Sequence, residues 1–288
     1  MCRLFGLHAG GHEVHASYWL VDAPDSVLVE SHRNPDGAGI GWCESRGDCH
    51  VVKWGRAAYR SAQFERTAQS VTANTVVTHV RAATTGSDSK RNSHPFLIED
   101  RLVAHNGGFG DLPAVERRLG DYLRFVHGDT DSERFAALIA MESDRHGDVT
   151  TGITAAAQWL ATNVPLYSLN IVVTAPGHLW ALRYPDQRAL HIASRVVTAK
   201  TDDQDSDAGW HGSSAVARHD FTTSGPDSVP IVVLASERID GSSDWRMLDP
   251  GELVHVGPDL QITSTTAVPA APAHFHLPAG VDHNDDSD

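Results

Sequence analysis

The sequence predicts an α+β fold in which β-sheets pack face to face and helices cover their outer surfaces. Predicted strands dominate the first part of the chain, two helices follow, and strands then return without regular strand–helix alternation. The segment Thr75–Arg81 is apolar and β-branched, which indicates a buried strand. The chain has 288 residues, of which 41% are hydrophobic, so its core should need no disulfide or metal.

Strands dominate the predicted first part of the chain. Arg3–Ala9 starts almost at the terminus, so it should give Cys2 a well-defined position. Residues 33–37 favour a turn, and the spacing over Ala58–Val71 favours a helix. The other strands predicted here are Ile40–Cys43, His50–Trp54, Thr75–Arg81 and a hairpin of Phe96–Ile98 with Leu102–His105.

The two helices, Ser132–Met141 and Thr151–Thr162, are rich in alanine and leucine, and Asp131 is well placed to cap the first. The strands predicted after them are Ser168–Thr174, Leu179–Tyr184, Ala189–Ile192, Ile231–Ala235 and Leu253–Val256. Residues 198–227 are predicted to form a long polar loop. Residues 261–288 are predicted to be a disordered acidic tail rich in proline and alanine, which leaves 2–260 as one domain.

Charge and cysteine content argue against several functional classes. The net charge is −14 and no Lys/Arg-rich run occurs, so nucleic acid and anionic membranes are not expected partners. The amino terminus is polar too soon for a signal peptide, and no apolar run is long enough to span a bilayer. The three cysteines fit neither a C-x-x-C nor a zinc pattern. We therefore expect a cytoplasmic protein in which Cys43 and Cys49 are reduced packing residues.

The second residue is the most informative one for chemistry. If Met1 is removed, Cys2 carries both its thiol and a free α-amine. An α-amine has a pKa near ~8, so a useful fraction is neutral at pH 7 and can accept a proton. A thiol beside a base is an activated nucleophile, and one residue would then supply both parts. The alternative is that a cysteine follows Met1 by chance.

A nucleophile that attacks an amide also needs groups that hold the substrate. Arg81 ends a buried strand, and a guanidinium there can hold a carboxylate through two parallel hydrogen bonds. Thr84 could add a hydroxyl contact. In the segment Gly128–Glu133, a carboxylate could bind a substrate ammonium group. The alternative for Arg81 is a salt bridge at a sheet end, and for Thr84 an ordinary loop residue. The alternative for Gly128–Glu133 is a helix-capping cluster.

The sequence His105-Asn-Gly-Gly108 is a candidate oxyanion hole. The Asn106 amide and the backbone N–H of Gly107 could point at one oxygen, and glycine allows that close approach. The alternative is a tight turn, because Asn-Gly is also a common turn dipeptide.

Together and in this order, these segments resemble the class II glutamine amidotransferases, which belong to the N-terminal-nucleophile hydrolases. The resemblance covers roughly residues 2–260. It begins at the sequence MCRLFG and includes residues 32–37, which lead into Gly39 and Gly41. It implies a four-layer αββα sandwich with Cys2 at the end of a central strand.

The resemblance also implies a role for five of the candidate residues, and we expect no cofactor or metal. The arginine would hold the α-carboxylate of glutamine, the aspartate its α-amino group, and the Asn-Gly pair the oxyanion. The candidate site residues are Cys2, Asn106 and Gly107 for catalysis, and Arg81, Thr84, His105 and Asp131 for substrate binding.

Within this family the chain is most similar to the short stand-alone members, such as the ergothioneine-pathway γ-glutamyl hydrolase. The segments that carry this similarity are Asn92–Phe96, Val233–Glu237 and Leu248–Glu252. The sequence therefore predicts hydrolysis of the γ-glutamyl amide bond of a small molecule through a thioester on Cys2. An alternative is a glutaminase subunit that passes ammonia to a separate synthase.

Two further alternatives come from other classes. The 18 histidines could make this a metal-binding protein, with His8, His12 and His15 close together and His274 and His276 in the predicted tail. The chain could also be an inactive interaction module with the same fold. The joint presence of the candidate site residues argues against the second alternative.

Overall fold

Two β-sheets form the centre of the protein in the computed structural model, which describes residues 2–83, 87–199, 218–221 and 228–276. The strands in these parts of the chain are β1 (Arg3–His8), β2 (Val14–His15), β3 (Gly37–Cys43), β4 (Cys49–Trp54), β5 (Thr72–Ala73), β6 (Thr75–Arg81), β7 (Phe96–Ile98), β8 (Arg101–Phe109), β9 (Leu166–Ala175), β10 (His178–Leu182), β11 (His191–Ala199), β12 (Arg218–Phe221), β13 (Ser228–Ala235), β14 (Arg246–Met247), β15 (Glu252–Val256) and β16 (Ile262–Thr266). The helices are α1 (Val27–Glu30), α2 (Ala62–Ser70), α3 (Leu112–Leu119), α4 (Asp131–His146) and α5 (Val149–Asn163), with short helical turns at Tyr18–Asp22, Ala58–Arg60 and Gly120–Phe125.

Within the described parts of the chain, the first sheet has eight strands, in the order β12-β11-β13-β1-β6-β3-β4 with β14 beside β11. The second sheet has six, in the order β16-β15-β10-β9-β8-β7. Neighbouring strands are antiparallel except for β11 and β12. Strand β1 lies in the middle of the first sheet, with Arg3 opposite Val80 of β6. The start of β1, and with it Cys2, is therefore fixed by neighbours on both sides.

Three apolar cores separate four layers. The two sheets pack against each other through one core, which includes Leu4, Val77 and Leu102. Helices α3, α4 and α5 cover the outer face of the second sheet, and α1, α2 and the turn at Tyr18–Asp22 cover that of the first. The αββα sandwich implied by the resemblance is therefore confirmed. It follows from strands that bury both faces, as β9 does along its whole length.

The structure differs from the sequence prediction in the predicted polar loop and in the predicted tail. Strand β16 and the buried residues Ala267 and Val268 lie where a disordered tail was predicted from residue 261. Strand β12 lies inside the predicted loop at 198–227 and pairs with β11. Residues 277–288, 200–217 and 222–227 lie outside the described residues. Helix α3 was not predicted.

The prediction that Cys43 and Cys49 are separate packing residues is wrong. They form a disulfide, because β3 and β4 place them directly opposite each other with Cα atoms 4.1 Å apart. The sequence spacing does not show this pairing, since it depends on the register of the two strands. The disulfide removes the cysteine-based argument for a reducing compartment.

Across the described ranges, no helix combines the length and the apolar character that a membrane crossing requires.

Candidate active site

Three of the candidate residues, Cys2, Arg81 and Asn106, face the space between the two sheets. Side chains alternate between the two faces of a strand, so positions two apart share a face. Cys2, Arg81 and Asn106 each lie an even number of positions from a residue in the inter-sheet core, and therefore point into the same space. These core residues are Leu4, Val77 and Leu102.

The sulfur of Cys2 contacts both backbone groups of Ala82. The thiol can donate to the Ala82 carbonyl oxygen, and the Ala82 N–H can donate to the sulfur, each over 3.3 Å. Burial raises the pKa of the Cys2 thiol, and the Ala82 N–H and the charge of Arg81 only partly offset this. The resting thiol is therefore neutral near pH 7, so a base must remove its proton before it can attack.

Asn106 contacts the same residue from the other sheet. Its side-chain Nδ2 donates to the backbone carbonyl of Cys2 over 3.0 Å, and the residue is only 6% exposed. An amide group has two N–H donors, so the second can serve another acceptor beside Cys2. Asn106 and Gly107 lie within β8, opposite Asn170 and Leu169 of β9. The alternative of a tight turn at this dipeptide is therefore wrong.

Gly107 is needed because β8 and β9 are very close at this point. A Cβ atom on Gly107 would lie 2.0 Å from the carbonyl oxygen of Ser168. Gly39 has a similar role behind the site, where a Cβ atom would lie 2.0 Å from the carbonyl oxygen of His94. No other residue fits either position without moving the backbone.

Asp131 is the first residue of α4, but it does not cap this helix. The N-cap is Thr130, whose hydroxyl accepts a hydrogen bond from the N–H of Glu133 over 3.3 Å. The predicted cap was therefore wrong by one residue. The Oδ2 atom of Asp131 instead accepts a hydrogen bond from the N–H of Phe109 over 3.1 Å. This contact fixes a nearly buried carboxylate next to the end of β8, three positions beyond Asn106.

Arg81 ends β6 and is only 4% exposed. Its guanidinium donates to the carbonyl oxygen of Ser87 over 3.2 Å and lies 3.6 Å from the carboxylate of Asp88. The alternative of a salt bridge at the sheet end is thus present in the structure. The Asp88 side chain is 60% exposed, so this ion pair joins a buried guanidinium to a carboxylate that faces solvent. Thr84 lies outside the described residues.

His105 is placed differently from the other candidates. Its ring points away from the inter-sheet space, toward α4, with Nδ1 2.9 Å from the Ser132 hydroxyl and Nε2 3.1 Å from the Ser168 carbonyl. Burial lowers its pKa, so the ring is neutral. Both ring nitrogens already have protein partners, which favours a role in holding β8 and α4 together over the predicted contact with substrate.

Several residues around the site were not predicted. His79 and His94 are buried beside Arg81, with ring centroids 4.1 Å apart. Burial lowers the pKa of His79 to about 3. The backbone of Ala82 carries no sequence signal, because alanine has no reactive side chain. Asp36 was interpreted as a turn residue within the 32–37 segment of the resemblance and was given no role of its own, yet its carboxylate accepts a hydrogen bond from the N–H of Ala83 over 2.8 Å.

The described residues contain no group of three or more His, Cys, Asp or Glu side chains that could hold a metal ion. His8, one member of the suggested metal cluster, is buried, with its ring nitrogens near the carbonyl oxygens of Asn74, Gly177 and Gly257. The geometry therefore gives the metal-binding alternative no support in these parts of the chain.

Two sheets packed between helical layers, with a cysteine at the start of a central strand, define the N-terminal-nucleophile hydrolase class of folds. The comparison with known families is more specific. A family model described as "Glutamine amidotransferases class-II" matches residues 1–276. The chain belongs to this family.

Curated relatives agree with the family assignment. The "Probable glutamine amidotransferase DUG3" of Saccharomyces cerevisiae is 28% identical over 169 residues, which cover 51% of this chain and 47% of that protein. The amidophosphoribosyltransferase of the same organism is 28% identical over 150 residues, which cover 51% of this chain and 29% of that protein. The matched region is thus less than half the length of either relative.

Two solved structures with the same fold differ in how much of their own chain this protein matches. The glutamine phosphoribosylpyrophosphate amidotransferase of B. subtilis, solved with ADP and GMP, matches 94% of this chain and 50% of its own, with a TM-score of 0.64 and 18% identity. A glutamine aminotransferase class-II domain protein from Silicibacter pomeroyi matches 93% of this chain and all of its own, with a TM-score of 0.56 and 17% identity. At these identities the likeness concerns the fold.

Proposed function

We propose that this protein hydrolyses γ-glutamyl amide bonds, with Cys2 as the amino-terminal nucleophile after removal of Met1. The observation that carries the proposal is the contact between Cys2, which immediately precedes β1 of the first sheet, and Asn106 of β8 in the second sheet. It brings a thiol and an amide donor together at the end of the inter-sheet space, where the charge of Arg81 lowers the pKa of that thiol and the charge of Asp131 raises it. Family membership supports the same chemistry.

In the proposed reaction, the neutral α-amine of Cys2 takes the thiol proton, and the thiolate attacks the γ-carbonyl carbon. The Asn106 amide and the Gly107 N–H hold the oxyanion. The α-ammonium group then gives its proton to the leaving amine as the C–N bond breaks, and a glutamyl thioester forms. Water attacks the thioester, with the α-amine as base, and glutamate and the free thiol are released. The raised pKa of the thiol is the reason that a base is needed.

Arg81 would bind the α-carboxylate of the glutamyl group and Asp131 its α-ammonium group, with Thr84 as a further candidate contact. Charge complementarity supports this assignment, because a guanidinium and a carboxylate match the two charged ends of a glutamyl moiety. His105 would position β8 against α4 through Ser132 without touching the substrate.

The direct test is glutamate release from glutamine and from a γ-glutamyl sulfoxide thioether by the wild type, Cys2→Ala and Cys2→Ser. Turnover in the wild type should be lost in Cys2→Ala and strongly reduced in Cys2→Ser, since the thiolate is the nucleophile. The mass of the active wild type should show that Met1 is absent. Undiminished glutamate release by Cys2→Ala, or activity with Met1 still attached, would contradict the proposed mechanism.

A second candidate is a glutaminase that passes ammonia to a synthase. It is favoured by one observation: the match covers only 29% of a relative named amidophosphoribosyltransferase and 28% of a glutamine–fructose-6-phosphate aminotransferase. The two candidates differ in their substrates. A strong preference for free glutamine over other γ-glutamyl amides favours the ammonia donor, and the opposite preference favours the hydrolase.

A further inference from the structure

Asp36 binds the backbone on both sides of Ala82, the residue whose backbone groups contact the sulfur of Cys2. The backbone N–H of Asp36 donates to the carbonyl oxygen of Arg81 over 2.9 Å. The Oδ2 atom of Asp36 accepts from the N–H of Ala83 over 2.8 Å. Asp36 thus forms hydrogen bonds with the residue immediately before Ala82 and with the residue immediately after it.

The second of these contacts acts on the peptide group that faces the thiol. The carbonyl of Ala82 and the N–H of Ala83 belong to one peptide unit, which is planar and trans, so the two groups point in opposite directions. The N–H end is bound by the carboxylate of Asp36, and the carbonyl end lies 3.3 Å from the sulfur of Cys2. Fixing one end of this plane fixes the direction of the other.

The carboxylate also changes the polarity of that peptide. A hydrogen bond from an N–H to an ionised acceptor is charge-assisted, and hydrogen bonds in a chain polarise one another. The Ala82 carbonyl is therefore a stronger acceptor for the thiol hydrogen than it would be without Asp36. A more negative carbonyl oxygen beside the sulfur also disfavours the thiolate.

Asp36 is itself held in place. It immediately precedes β3, whose first residue, Gly37, lies opposite Arg81 in the sheet. The preceding turn is tied to α1 by the Asn34 amide, which donates to the carbonyl oxygen of Glu30 over 2.8 Å. The carboxylate is thus presented from a rigid strand end, as a positioning group requires.

We propose that Asp36 is a positioning residue for the nucleophile: it orients and polarises the Ala82–Ala83 peptide, which in turn holds the sulfur of Cys2 in place as the resting thiol until the base removes its proton. The inference rests on the proposed role of Cys2 as nucleophile. It assigns a function in the reaction to a residue that the sequence analysis placed in a turn without a role of its own.

The test compares Asp36→Ala and Asp36→Asn with the wild type in the full-length protein. Asn keeps an oxygen that can accept from the Ala83 N–H but removes the charge, whereas Ala removes the acceptor. The matched control is Asp25→Asn, which removes the same charge from an exposed position near α1. Two quantities are measured: kcat and KM for glutamate release, and the pH dependence of Cys2 alkylation by iodoacetamide, followed by intact mass.

We expect Asp36→Ala to lower kcat by about 10- to 100-fold with little change in KM, because the sulfur is misplaced while the groups that bind the glutamyl end remain. Asp36→Asn should recover most of this loss. In Asp36→Asn the alkylation profile should move to lower pH than in the wild type, because the Ala82 carbonyl is less polarised. The control should match the wild type in both measurements.

Alkylation and turnover profiles of both Asp36 variants that superimpose on the wild type would overturn the inference. If Asp36→Ala does not fold, the alkylation profile of Asp36→Asn decides: a shift to lower pH supports the inference, and no shift overturns it. A shifted profile in a protein that hydrolyses no γ-glutamyl amide would leave the positioning role intact while the proposed function fails.

Discussion

Substitution of Gly107 by alanine tests the close approach of β8 and β9 on which the candidate oxyanion hole depends. The new Cβ atom would lie 2.0 Å from the Ser168 carbonyl oxygen and 2.7 Å from Nε2 of His105. Ordinary contact begins near 3.4 Å, so the two strands must separate locally by about 1.4 Å. The displaced strand is the one that carries Asn106 to Cys2.

The structural cost sets the expected magnitudes. Overpacking a close-packed site costs about 1–3 kcal/mol, and a clash with backbone atoms belongs at the upper end, near about 3 kcal/mol. For a protein of this size, that corresponds to a fall in Tm of roughly 6–12 °C. A shift of about 1 Å in a catalytic group costs on the order of 100-fold in rate, so kcat for glutamate release should fall by about that factor.

The neighbouring Gly108 provides the matched control. A Cβ atom there would have its nearest contact at 3.8 Å, to Oδ2 of Asp131, which is ordinary van der Waals distance. Gly108→Ala should therefore change the free energy of unfolding by less than about 0.5 kcal/mol. Both variants are measured by denaturant unfolding and by glutamate release. If Gly107→Ala is as stable and as active as the wild type, the close pairing of β8 and β9 is not as described.

Two further predictions concern stability. Because burial lowers the pKa of His79 to about 3, this ring is neutral in the folded state and becomes protonated on unfolding below pH ~6.5. Above that pH, His79 does not affect the pH dependence of the free energy of unfolding. Below it, His79 lowers the free energy of unfolding by about 1.4 kcal/mol per pH unit down to about pH 3. The slope of the free energy of unfolding against pH, measured by urea unfolding from pH 7 to 4, reports the protons taken up on unfolding. His79→Leu should reduce this number by about one, and an unchanged slope would contradict a neutral, buried His79. Reduction of the Cys43–Cys49 disulfide, which closes a short loop, should lower the free energy of unfolding by about 2 kcal/mol. Thiol titration of the unreduced, denatured protein should find Cys2 alone, and three reactive thiols would show that the disulfide is absent.

The sequence predicted more of the fold than of the site. Thr75–Arg81 was predicted with its observed bounds, because a buried strand of β-branched residues has a strong local pattern. Strand β16 was missed, because its residues are exposed and their pairing with β15 depends on a distant partner. The helix cap was placed at Asp131, because Thr130 and Asp131 are both good caps by composition and only the backbone angles distinguish them.

In the candidate site, too, the sequence predicted some groups and missed others. Cys2, Arg81 and Asn106 were singled out from their residue types and their order in the chain. The Ala82 backbone and the carboxylate of Asp36 were not, because one has no reactive side chain and the other lies in a sequence typical of a turn. His105 was predicted to bind substrate, whereas alternation along β8 places its ring on the face opposite to that of Asn106.

The amino-acid sequence by itself determined the order of strands and helices and the chemical groups available for a reaction, because hydrophobic period and residue type are local properties. The tertiary structure alone decided which of those groups meet. The contact of Cys2 with Asn106, the grip of Asp36 on the Ala82–Ala83 peptide and the Cys43–Cys49 disulfide depend on strand register and on the packing of two sheets. These are relations between residues far apart along the chain or on separate strands, and no local pattern encodes them.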